Sequence, residues 1–160
     1  MDKDRVKGSA QQAKGLHRRI TMKVKDMMHK GVECVSPDAA VNSIVKKMKD
    51  LDVGAIPVAQ NGSLVGMITD RDIAIRCVAN GKDTSKVTAK DVMTGGVVYC
   101  RDTEEVEDAV RIMEGKQIRR LPVLDEAKRM VGMISLGDIS HALPQDIAGE
   151  VTKAVSAHHA

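Results

Sequence analysis

Along the middle of the chain, apolar residues return every three or four positions. Val41, Ile44, Val45, Met48 and Leu51 fall on one stripe with lysines between them, which predicts an amphipathic helix. Val106, Ala109, Val110 and Met113 make a second such stripe. Around these helices the pattern changes to short β-prone runs: Val32 to Val35, Val53 to Val58, Leu64 to Thr69, Val97 to Cys100 and Ile118 to Val123. Ser36-Pro37-Asp38 offers a start for the first helix, and Asp102 with Glu105 has capping-box spacing ahead of the second. Asn61-Gly62 is a hairpin turn, and Asp125 to Arg129 does the same job with a longer loop. Asp72 to Ala79 reads as a closing helix, with Gly81 placed as its C-terminal cap. Ile147, Val151, Ala154 and Val155 mark a further helix over Gln145 to Ala157.

The elements come in two copies. VKDMM (Val24 to Met28) returns as AKDVM (Ala89 to Met93), 65 residues on, and Pro57-Val58 meets Pro122-Val123 at the same offset. One extra residue in the second turn makes the offset 66, and GMITDRDI (Gly66 to Ile73) then meets GMISLGDI (Gly132 to Ile139). Half-sheets with helices on one side cannot each bury their faces alone. The expected fold is therefore α/β, with two β-α-β-β-α repeats packed about a pseudo-twofold axis. The expected divisions are a basic head over 1–20, repeats over 24–80 and 89–142, and a C-terminal helix and tail over 143–160. The stripe with Val41, Ile44, Val45 and Met48, and its counterpart from Val106 to Met113, is the expected surface of a homodimer.

Composition narrows the chemistry. Tyr99 is the only aromatic residue, so the core must be aliphatic and methionine-rich. It also argues against a base-stacking platform for nucleic acid. Residues 1–30 hold nine Lys/Arg against three Asp/Glu, and the rest hold sixteen against nineteen, so the basic charge sits in the head. Cys34, Cys77 and Cys100 have no metal-ligand spacing, and His17, His29, His141, His158 and His159 form no zinc pattern. There is no P-loop and no nucleophile elbow. With no membrane-spanning apolar run and no signal-like head, the expected setting is the reducing cytoplasm, with no membrane partner.

The duplicated segment, GMITDRDI and GMISLGDI, carries the candidate site. A strand ends at Thr69 and a helix begins near Asp72, and Ser135 with Asp138 repeats the spacing. A helix start suits phosphate, a hydroxyl donates to phosphate oxygen, and a carboxylate one turn on suits the paired hydroxyls of a ribose. The same residues are also ordinary helix caps, and spacing alone favours that reading.

Taken together, the DVM-type opening, the strand ending in Leu/Ile-Pro-Val and the pair GMITDRDI/GMISLGDI resemble a tandem pair of CBS domains, a Bateman module, over roughly 24–141. TDRDIAIRCVANGKD, IRRLPV and DISHALP resemble the small stand-alone bacterial members, the group of the hypoxic response proteins. MDKDRVKGSAQQAKG resembles the start of CsbD-type stress-response proteins. The CBS resemblance implies a non-catalytic regulatory module, commonly a dimer, that binds an adenine nucleotide (AMP, ADP, ATP or a related adenosyl ligand) and acts on a separate effector protein. It implies Thr69 with Asp72 and Ser135 with Asp138 at ribose and phosphate, and Arg120, with Arg119 beside it, at phosphate. Arg71 is a second phosphate candidate. Val32 to Cys34 and Val97 to Tyr99 would edge an adenine pocket. The arginines are not duplicated between the repeats, so the two sites are expected to be unequal. The competing readings are a dimeric stress-response protein that binds no nucleotide, and a nucleic-acid binder acting through the basic head.

Overall fold

The computed structural model describes residues 21–157; the expectations for the head, His17, His158 and His159 lie outside them. The chain is α/β and forms two compact units, neither continuous in sequence. The described part of one unit takes residues 21–30, 99–125 and 131–157; the other takes 31–98 and 126–130. The arm that opens the first repeat therefore packs with the strands of the second, and the arm that opens the second packs with the strands of the first.

In chain order the elements are α1 (Val24–Met27), β1 (His29–Lys30), α2 (Val41–Leu51), β2 (Ala55–Gln60), β3 (Ser63–Thr69) and α3 (Asp70–Ile73), which runs into a π-helical turn over Ala74–Val78. They continue with α4 (Ala89–Val92), β4 (Cys100–Arg101), α5 (Val106–Lys116), β5 (Arg120–Leu124), β6 (Met130–Ser135), α6 (Leu136–Ala142) and α7 (Gln145–Val155).

The second-repeat unit carries a four-stranded sheet in the order β1-β6-β5-β4, with β1 antiparallel to β6 and β4 parallel to β5. In the first-repeat unit β2 and β3 form the hairpin, closed by Asn61 and Gly62 at φ 51° and 79°, the two positive values of a two-residue turn. Its outer strands shrink to single bridges, Met67 with Thr94 and Val35 with Val58. These match the β1–β6 and β4–β5 pairings at offsets of 65 and 66. The expected runs Val32 to Val35 and Val97 to Cys100 thus reduce to Val35 alone and to Cys100–Arg101.

Two expected helix starts are corrected. Ser36 to Ala39 is a turn, closed by the Ala39 N–H on the Ser36 carbonyl, and α2 begins only at Val41. Asp102 caps nothing with its side chain, and Glu105, the N-cap of α5, makes no side-chain cap bond. The reason is that these loops serve the arms. The Pro37 and Ala39 carbonyls accept from the N–H groups of Lys90 and Ala89, and the Asp102 and Glu104 carbonyls accept from Lys25 and Val24. In return the first N–H of α2 donates to Val87 and that of α5 to Met22. Each helix start is capped by backbone from the other partner.

The apolar stripes face inward, which overturns the expected dimer surface. Val41, Ile44 and Met48 pack with Ile56, Val58, Ile68, Ile73, Cys77, Ala89 and Val92 in one core. Val106, Ala109, Val110 and Met113 are buried in the other unit. Of the first stripe, Val45 and Leu51 remain exposed. Helix α7 buries Ile147, Val151 and Val155 and packs on α5 and α6.

The glycine of each Gly-Met-Ile is a crossing point. A Cβ on Gly132 would lie 2.6 Å from the His29 carbonyl oxygen and 2.7 Å from the Met28 sulfur. On Gly66 it would meet the Met93 sulfur at 2.4 Å and the Thr94 carbonyl oxygen at 3.2 Å. Backbone cannot yield as a thioether can. Gly132→Ala should therefore lower unfolding free energy by about 1–3 kcal/mol, and Gly66→Ala by less, as read from urea melts of the two variants.

Candidate functional site

Each β-strand of the Gly-Met-Ile type ends in a hydroxyl residue that starts the next helix, and both starts are complete capping boxes. The Thr69 N–H and hydroxyl donate to Asp72 Oδ2 at 2.9 and 2.8 Å, and the Asp72 N–H donates to Thr69 Oγ1 at 3.1 Å. The Ser135 N–H and hydroxyl donate to Asp138 Oδ2 at 2.7 and 2.6 Å, with the return bond at 3.1 Å. In a third pair, at the start of α4, the Thr88 N–H and hydroxyl both donate to Asp91 Oδ2 at 2.8 Å, while the Asp91 N–H donates to the Thr88 carbonyl at 3.1 Å. Those bonds from Thr88 hold the Asp91 carboxyl below the usual carboxylate range.

The remaining carboxylate oxygens differ. Asp72 Oδ1 faces Arg76 Nη2 at 3.5 Å, while the rest of that guanidinium donates to the Val92 carbonyl at 2.7 Å and to Thr94 Oγ1 at 3.2 Å. Asp138 Oδ1 meets His29 Nε2 at 2.7 Å. Because an ionised carboxylate only accepts, His29 donates this bond from Nε2.

In the second-repeat unit, Arg119, Arg120 and Ser135 line one hollow of about 310 Å³ together with Leu136, Gly137, Ser140 and Thr152. The Leu136 N–H on the Arg119 carbonyl at 2.9 Å ties the start of α6 to the start of β5. Both arginines are exposed, and neither guanidinium has a partner among the described residues. At the equivalent place the first-repeat unit has Gly54 and Ala55, with the Asp70 N–H on the Gly54 carbonyl. Its hollow is larger, about 690 Å³, and runs from Gly54 and Asp70 to Val45, Val53 and Val78.

The other expected residues are less gathered. Arg71 is exposed, its N–H donating to Asp70 Oδ1 at 2.7 Å. Val32 and Val97 are half-buried in irregular segments, and Tyr99 is exposed at 38% rather than packed in a core. The half-buried Cys34 thiol lies 3.7 Å from the Met130 sulfur, and burial pushes its pKa up. Cys100 is buried against the Pro122 carbonyl and pushed up to about 12. Among the described residues there is no disulfide and no cluster of three metal-ligating side chains. No described helix is long and apolar enough to cross a membrane.

Four residues at the sites escaped the sequence reading. Arg76 was findable, four positions beyond Asp72 on one helical face. His29 is 109 residues from Asp138 and carries no local signal. Ser140 and Thr152 meet only because α7 folds back on α6, their hydroxyls 3.1 Å apart.

The duplicated fold and its paired caps agree with the sequence comparisons. The CBS-domain profile matches residues 24–78 and 89–145, and the chain belongs to the CBS-domain family, with two copies in tandem. It is 39% identical over 134 residues to the CBS domain-containing protein YhcV of Bacillus subtilis, covering 83% of this chain and 94% of that protein. It is 33% identical over 132 residues to hypoxic response protein 1 of Mycobacterium tuberculosis, covering 82% and 92%.

Among solved structures, hypoxic response protein I with two coordinated zinc ions superposes with a TM-score of 0.70 at 33% identity, over 77% of this chain and all of that one. CBSX2 in complex with AMP gives 0.66 at 26%, over 75% and 94%. The CBS pair of protein MJ0100 with 5′-methylthioadenosine and S-adenosylmethionine gives 0.69 at 28%, over 76% and 98%.

The thiols offer a direct check of the described environments. Iodoacetamide at pH 8 should modify Cys34 first and leave Cys77 and Cys100 untouched until denaturant is added, as mapped by peptide mass spectrometry.

Proposed function

We propose that this CBS pair is a non-catalytic regulatory module that binds an adenine nucleotide and signals to a separate effector protein. The observation that carries the reading is the hollow lined by Arg119, Arg120 and Ser135. Two guanidiniums with no partner among the described residues stand there beside the Ser135 hydroxyl. Guanidinium pairs suit phosphate, and the carboxylates suit a ribose diol. The nucleotide in CBSX2 and the adenosyl ligands in the MJ0100 pair support an adenosine-bearing ligand here. A charge-assisted bond to phosphate contributes about 1.5–3 kcal/mol, tenfold or more in affinity. Arg120→Ala should therefore weaken AMP and ATP by about tenfold and leave adenosine nearly unchanged in titration calorimetry. An equal loss for adenosine would remove the phosphate role.

The complete capping boxes favour one other reading, a dimeric stress-response protein in which Thr69 and Ser135 serve only as caps. A thermal-shift panel of AMP, ADP, ATP and S-adenosylmethionine separates the two, since a ligand bound only by the folded chain raises Tm.

We further propose that the chain is a homodimer, through the exposed margin of the first stripe and its neighbours rather than through the buried stripe residues. Val45, Leu51, Val53, Ile75 and Val78 are exposed in the first-repeat unit, Val78 at 61%. Three of them line the larger hollow. Val45 matches Val110, which is buried in the unit where α7 packs on α5. No counterpart of α7 follows Val78, and a second copy supplies the missing apolar cover. Val45→Lys with Val78→Lys should turn a sedimenting dimer into a folded monomer at micromolar concentration.

A further inference from the structure

The two repeated carboxylates are equally capped but not equally free. A carboxylate has about four lone-pair positions, and a ribose diol asks for two of them. In both repeats Oδ2 is filled by the N–H and hydroxyl of its own cap residue. The difference lies on Oδ1. Asp138 Oδ1 already accepts a 2.7 Å bond from His29 Nε2, which leaves one position. Asp72 Oδ1 has only the 3.5 Å approach of Arg76, beyond the range of a charge-assisted hydrogen bond, and that guanidinium is anchored on Val92 and Thr94.

This inequality is not a by-product of the duplicated fold. His29 pairs with Met133 across the β1–β6 edge, and Thr94 holds the matching place against Met67. A threonine there is too short to reach the carboxylate as an imidazole does. Arg76, in turn, is matched by Ala142, so the second repeat has no helix-borne cation at that place. Asp138 and Asp72 are equally exposed, at 17% each, so the two carboxylates differ in the partner on Oδ1 and not in burial.

We propose that His29 is a specificity-determining residue that closes the Asp138 carboxylate to ribose hydroxyls, so that Asp72 is the open diol acceptor of the chain. This rests on the nucleotide reading above. The test uses adenosine as the probe, since it has the diol and no phosphate, and follows it by titration calorimetry. Wild type should bind one adenosine per chain, and Asp72→Asn should abolish that binding. His29→Ala should add a second site, or strengthen a weak one by about tenfold, the loss of one competing charge-assisted bond. Adding Asp138→Asn to His29→Ala should cancel the gain, and His29→Gln, which keeps a nitrogen donor, should give a smaller one. Melting curves check that each variant folds. Two equal sites in wild type, or one site unchanged in number and affinity by His29→Ala, would overturn the closure and leave the nucleotide reading standing. Failure of wild type to bind adenosine, AMP or ATP would overturn both.

Discussion

A helix start exposes N–H groups that must find acceptors, and here each repeat finds them in the arm that precedes the other. The short helix α1 takes the Asp102 and Glu104 carbonyls, and α5 takes that of Met22; α4 takes the Pro37 and Ala39 carbonyls, and α2 takes that of Val87. The rest of each unit is built on this exchange. It lays the arm along the outer edge of the sheet, and it brings the His29 backbone so close to Gly132, and the Met93 side chain so close to Gly66, that a β-carbon would force either to shift. It also delivers His29 to Asp138 and Thr94 to Arg76. The chemistry of the two carboxylates is thus decided by which arm crosses which sheet.

Much of this architecture is written in short-range pattern. The period of Val41, Ile44 and Met48 announced a helix that is there, and Asn61-Gly62 announced a hairpin with the backbone signs it needs. Asp72 and Asp138 were legible as partners of Thr69 and Ser135 because a capping box spans only three residues. What failed was the partner at long range. Ser36-Pro37-Asp38 and Asp102 to Glu105 have the residues of a helix start, yet their carbonyls are spent on helices 50 to 80 residues away. No local rule reports that, nor that His29 lies against Asp138.

The motif itself was less informative than its repetition. Thr88 and Asp91 share the spacing of the two site pairs and the two bonds onto the carboxylate, yet they begin α4 and line neither hollow. Thr-x-x-Asp is first a device for starting a helix. What sets Ser135 apart is its surroundings, two arginines with no partner among the described residues and the hydroxyls of Ser140 and Thr152. Of these, only the arginines were visible as neighbours of Leu-Pro-Val.

The exchange of arms also sets the order in which a nascent chain can become a protein. Most of the first-repeat unit lies within residues 31–98, so its sheet and core can close soon after that stretch leaves the ribosome. Residues 24–30 are made first, but their strand partner, Gly132-Met133, comes about a hundred residues later. At about 5–20 residues per second, that is a wait of roughly 5–20 s. For that interval Met28 has no Gly132 to lie on, and the earliest part of the described chain is buried only after most of the chain has been made.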